Sequence, residues 1–208
     1  MTGRPVLWVL AGVNGAGKSS IGGHHLKQAG FDWFNPDTFA RELVAASGCD
    51  QVQANAAAWQ EGMRRLDEAI EHRGAYAFET TLGGNTVPRK IAEASRTHDV
   101  LMWFCGLSSP EQHIARVRAR VAAGGHDIPE AKIRERYRSA LENLVALMPS
   151  IERLRIYDNS VDVQPGEAIP DPVPLADIAR GRLRWPLDLD TLRQTPGWAK
   201  PLLEAALS

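Results

Sequence analysis

The stretch Val6-Leu-Trp-Val-Leu-Ala-Gly-Val-Asn-Gly-Ala-Gly-Lys-Ser19 decides the fold. Its first six residues are apolar without a break, the pattern of a short strand buried on both faces of a parallel sheet. Gly12 to Ser19 then fits G-x-x-x-x-G-K-S/T at every position, after a strand and before a helix predicted near 19–28. Glycines let the backbone wrap closely round a phosphate, so that N–H groups and a helix N-terminus face the anion. In such a loop Lys18 reaches the β and γ phosphates, and the Ser19 hydroxyl is placed for Mg²⁺. The pattern implies nucleoside triphosphate binding by Gly12, Val13, Asn14, Gly15, Ala16, Gly17, Lys18, Ser19 and Ser20.

Outward from the loop, apolar runs alternate with helical periodicity, which signals an α/β fold with a mainly parallel sheet flanked by helices. Phe31–Phe34 reads as a short second strand, ended by Asn35-Pro36-Asp37. Helices are predicted over 37–47 and about 52–73, where Trp59, Met63, Leu66 and Ile70 recur at helical spacing. Ala75–Glu79 and Val100–Leu107 are the third and fourth strands, with a helix near 88–97 between them. Ser109-Pro110-Glu111 starts a helix that Gly124-Gly125 stops. Another runs from Pro129 to about Met148, and Leu154–Tyr157 is a fifth strand. Residues 1–160 therefore read as one kinase-like domain, with a lid at about 109–148. Seven of the 13 prolines fall in 161–208, which reads as an irregular tail with a hairpin near Arg180-Gly181 and a short last helix. Trp185, Trp198, Leu202 and Leu203 need burial, so the tail is expected to pack on the same domain.

Composition narrows the function classes. The chain has 208 residues, 44% of them hydrophobic and 24% charged, enough apolar material for one sizeable core. A net charge of −1 argues against a protein that coats nucleic acid or a membrane surface. The longest strictly apolar runs, Val6–Ala11 and Val100–Cys105, fall far short of the roughly 20 residues a membrane span needs. The N-terminus lacks the shape of a signal peptide. Cys49 and Cys105 form neither a disulfide framework nor a metal motif, so a reduced, cytoplasmic protein is expected.

Two carboxylates stand where strands end. Glu79 closes an apolar strand close to the expected Mg²⁺ position; it can hold the metal through water, bind substrate, or simply be solvated. Asp37 follows the second strand, at the sheet edge where ligands bind. It can accept a proton from an acceptor hydroxyl or cap the next helix, and chemistry alone leaves both open. Residues 116–138 add Arg116, Arg118, Arg120, Lys132, Arg134, Arg136 and Arg138 against Asp127, Glu130 and Glu135. Two helices joined by a basic, glycine-containing turn suit a kinase lid that closes over phosphates. The alternative is a solvated basic face, or one that binds RNA. His126 is either a turn residue or a phosphate contact.

Together these residues resemble the zeta-toxin family of P-loop kinases, and more narrowly its short, stand-alone bacterial members. The resemblance rests on Ala11–Ser19, Asn35-Pro-Asp37, Phe78-Glu-Thr-Thr-Leu82, Gly124-Gly-His-Asp-Ile-Pro129, Arg136-Tyr-Arg-Ser139 and Tyr157-Asp-Asn-Ser160. It implies a chloramphenicol-phosphotransferase-like fold that moves the ATP γ-phosphate to a sugar hydroxyl, typically on UDP-N-acetylglucosamine. It further implies that Lys18 and Ser19 hold ATP and Mg²⁺, that Asp37 is the general base, and that Glu79 and Thr81 contact substrate. Arg120 and Arg136 become the phosphate contacts in the lid, with Arg116 next, on the substrate side. Larger zeta toxins carry an arginine close before a proline, where this chain has His126 ahead of Pro129. An antitoxin is the implied partner. Competing readings are a kinase for an antibiotic, a nucleoside or a polynucleotide end, and an ATP-binding regulator with a nucleic-acid face. A carboxylate at Asp37 and a basic lid favour transfer over regulation.

Overall fold

The computed structural model describes residues 3–19, 22, 33–162 and 170–208. β1 (Val6–Ala11), β2 (Tyr76–Thr80), β3 (Asp99–Gly106) and β4 (Arg153–Asp158) form a parallel sheet in the order β2-β1-β3-β4. β5 (Val173–Ala179) and β6 (Arg182–Trp185) extend it antiparallel beyond β4. Leu7 and Val9 of β1, Met102 and Phe104 of β3, and Leu154 and Ile156 of β4 are buried at alternate positions. Strand geometry puts such alternate residues on one face. They share a core with Ile91 of α3 (Thr86–Ala94), Ile114 and Val117 of α4 (Pro110–Ala122), and Ile133 and Leu144 of α5 (Glu130–Leu147).

Before β2, α1 (Pro36–Ser47) and α2 (Gln51–His72) pack together through a small cluster of Ala40, Ala54 and Ala58. Asn35 caps α1, accepting from the N–H groups of Asp37 at 2.9 Å and Thr38 at 3.1 Å. Pro36 follows at the first helical position, where its missing N–H costs nothing. The expected second strand is represented by Phe34, which bridges β2: its N–H donates to Ala77 O and its carbonyl accepts from Glu79 N. Phe31, Asp32, Ser20 and most of the helix expected near 19–28 lie outside the described residues.

From residue 170 onward the described chain is more regular than an irregular tail. β5 and β6 join at the expected hairpin, where Arg180 and Gly181 take φ of 48° and 78°. Pro174 does not break β5, because the ladder shifts register beside it, opposite Ile156/Tyr157. α6 (Leu189–Gln194) and α7 (Lys200–Leu207) complete the chain. Trp198, Leu202 and Leu203 are buried in the common core. Trp185, expected to be an anchor, is instead 43% exposed on the edge strand. Among the described residues no helix is long and apolar enough to cross a membrane.

Candidate active site

β1 delivers the chain into Gly12–Ser19. Gly12, Gly15 and Gly17 take φ of 141°, 84° and 84°. At Gly12 space also demands glycine, since a Cβ would stand 2.2 Å from the Cys105 carbonyl oxygen. Three side chains hold the loop from the protein side. Cys105 Sγ and Asn159 Nδ2 donate to Ala16 O at 3.1 and 3.0 Å, and His113 Nδ1 pairs with Asn14 O at 2.8 Å. With its carbonyls satisfied inside, the loop suits an anion at its N–H groups. Burial pushes the Cys105 thiol up to about 12, so it remains a thiol donor. Burial likewise pushes His113 down to about 4, so the ring is neutral and donates its Nδ1 proton to the loop.

Ser19, Glu79 and Asn35 meet beside the loop. Ser19 Oγ donates to Glu79 Oε2 at 3.1 Å and accepts from Asn35 Nδ2 at 3.1 Å. Glu79 is buried at the end of β2, and burial raises its pKa against the opposing pull of the Lys18 ammonium and the Ser19 hydroxyl. Its Oε1 is buried and makes no hydrogen bond of good geometry among the described residues. An oxygen pair of Ser19 and Glu79 fits Mg²⁺, which takes one or two protein oxygens and completes its shell from phosphate and water.

Asp37 is not the helix cap; Asn35 is, which removes the structural alternative left open by the sequence. The Asp37 carboxylate is 51% exposed and faces the lid, with Arg120 Nη1 at 3.5 Å and His126 Nε2 at 3.9 Å. Arg120 also donates to His126 O at 3.2 Å, closing the lid turn. Arg136 comes from α5 to the loop, Nη1 donating to Asn14 Oδ1 at 2.8 Å. Arg116 sits beside Gly15, but its guanidinium is engaged by Val161 O at 2.8 Å and Asp162 at 3.1 Å. Thr81 Oγ1 accepts from Gly83 N at 3.3 Å, in a turn where buried Leu82 takes φ of 55°. Ser139 and Asn143 of α5 donate to the carbonyls of Gly83 and Leu82 at 2.9 and 2.7 Å, fixing that turn. Three of the remaining lid cations pair with carboxylates, Arg118 with Glu130, Arg134 with Glu111 and Lys132 with Glu135, while Arg138 is exposed.

Asn35, His113, Ser139 and Asn143 had no role assigned from sequence. Asn directly before a helical Pro is a cap signal that identifies Asn35. His113 gave none, since it reads as one more residue beside the apolar stripe of α4.

Residues 7–144 match the AAA domain family. The chain belongs to that family. An uncharacterised protein of Haemophilus influenzae is 28% identical to this AAA domain over 150 residues, 64% of this chain and 99% of that protein. The AvrRxo1-ORF1:-ORF2 complex with ATP is similar with a TM-score of 0.66 at 16% identity. That likeness covers 98% of this chain, which spans 64% of the AvrRxo1 chain. The PezAT toxin–antitoxin system of Streptococcus pneumoniae is similar with a TM-score of 0.54 at 16% identity, over 76% of this chain and 68% of that one. The fold is that of the zeta-toxin-like P-loop kinases, as the sequence motifs imply.

Proposed function

We propose that this AAA domain is an ATP-dependent kinase acting on a small-molecule hydroxyl. The acceptor we favour is a UDP-activated amino sugar such as UDP-N-acetylglucosamine. The observation that carries this reading is Asp37: it is half exposed, spared from capping, and faces Arg120 and His126 of the lid beside the Ser19–Glu79 pair. Gly12–Ser19 and Lys18 would hold the triphosphate. Ser19 and Glu79 would hold Mg²⁺, which when bound neutralises phosphate charge. The Asp37 carboxylate takes the proton of the acceptor hydroxyl as its oxygen bonds to the γ-phosphorus. The bond to the β–γ bridging oxygen breaks, and ADP leaves. Arg120, as the lid closes, and Arg136, from its place beside the loop, meet the charge on the transferring group. A groove of about 380 Å³, lined by Ile114, Val117, Val121, Ile128 and Ile133, runs beside α4 and the start of α5.

Likeness to PezAT and to the AvrRxo1-ORF1:-ORF2 complex supports a toxin role with an antitoxin protein as partner. The pairing of Arg118 with Glu130 and of Arg134 with Glu111 weighs against nucleic acid as ligand. The test is incubation with ATP and a panel of UDP-sugars, nucleosides and RNA, followed by mass spectrometry. A phosphorylated UDP-amino sugar is expected; ATP turnover that responds only to RNA would overturn the reading.

A further inference from the structure

Position 14 is one the phosphate-loop pattern leaves unspecified, yet here it ties the loop to both lid helices. The Asn14 side chain is buried, with the residue 8% exposed, and both of its oxygens reach the lid helices. Its backbone oxygen pairs with His113 of α4, and its Oδ1 accepts from Arg136 of α5, each at 2.8 Å. The Arg136 stem has little freedom to find that contact by chance, because a Cβ on Gly83 would lie 2.4 Å from its Cγ. The stem is thus threaded past the β2 turn, and the amide of Asn14 receives the guanidinium at the far end.

We infer that Asn14 is a positioning residue for Arg136, holding that guanidinium at the phosphate loop before nucleotide arrives. This rests on the reading of the loop as a nucleoside triphosphate site. The choice of an amide matters. A neutral oxygen fixes the arginine by a hydrogen bond without cancelling its charge, so the full positive charge stays available to the phosphates. A carboxylate in the same place would hold the guanidinium as firmly, neutralise it, and set a negative charge against the incoming polyphosphate.

The experiment is calorimetric titration of ATP and ADP into wild type, Asn14→Ala, Arg136→Ala, the double variant and Asn14→Asp, with thermal melts of each. Arg136→Ala is expected to weaken ATP by roughly 10–100-fold, the worth of a hydrogen bond to a charged group, and ADP by less. Asn14→Ala should reproduce most of that loss, and the double variant should lose no more than Arg136→Ala alone. Asn14→Asp keeps size and shape, so its melt should match wild type while ATP affinity falls at least tenfold. Additive losses in the double variant, or wild-type ATP affinity in a folded Asn14→Asp, would overturn the proposal. Wild-type protein that binds no ATP would instead bring down the triphosphate reading, and this one with it.

Discussion

Asn35 and Asp37 divide two tasks that lie two residues apart. Asn35 closes the end of α1 and steadies the Ser19 hydroxyl, while the Asp37 side chain stays half exposed toward the lid. Substitutions should therefore separate stability from chemistry. Asp37→Asn is expected to melt with the wild type but to lose phosphoryl transfer by about 10²–10⁴, the usual worth of a general base. Asn35→Ala should cost about 1 kcal/mol of stability through the lost cap. Its melting temperature should then fall by about 2–4 °C, as differential scanning calorimetry would show. An Asp37→Asn protein that melts early yet keeps its specific activity would make Asp37 structural. Gly12→Ala should be far more damaging, about 3 kcal/mol or more, because a positive φ and a 2.2 Å approach to Cys105 O coincide. Thermal melts of that variant test it directly.

Among the elements, α4 and α5 carry the arginines, and each arginine is spoken for differently. Arg120 lies between Asp37 and the turn carbonyl of His126, so it moves with the lid. Arg120→Ala is expected to lower kcat by at least tenfold with a smaller change in ATP affinity, in steady-state kinetics paired with calorimetry; a loss confined to ATP affinity would place it in ground-state binding. How much of this was legible in the sequence varies by element. β1 and its loop, β2 to β4 and the two lid helices follow from apolar runs and caps, because each is specified by neighbours in the chain. The hairpin at Arg180-Gly181 is legible, but Pro172 and Pro174 hide where β5 begins, since a bulge that tolerates proline is set by the partner strand and not by local propensity. The arginines were visible as a cluster, but their partners come from distant segments: Asp162 for Arg116, Asn14 for Arg136, Glu111 for Arg134. No spacing rule reaches that far.

Across the whole molecule, the last third of the chain is tied to the first. Trp198 Nε1 donates to Asp158, and Leu202 and Leu203 join the core that holds β1. We therefore propose that the described residues form one folding unit, and a chain cut after Asp162 should lack a cooperative melt. His113 links the same core to pH. Its folded value of about 4 lies below the ordinary 6.5, so between those limits the unfolded chain binds a proton that the folded one does not. Stability is expected to fall by about 3 kcal/mol as pH drops through that window, and His113→Gln should flatten the slope in urea melts. The seating of the phosphate loop has a further consequence, for kinetics. Cys105, His113 and Asn159 already fix its carbonyls, whereas ordering a free loop costs about 1–2 kcal/mol of backbone entropy per residue. Nucleotide capture should thus be limited by encounter, with an observed stopped-flow rate that rises linearly with ATP concentration and shows no plateau from a slow ordering step.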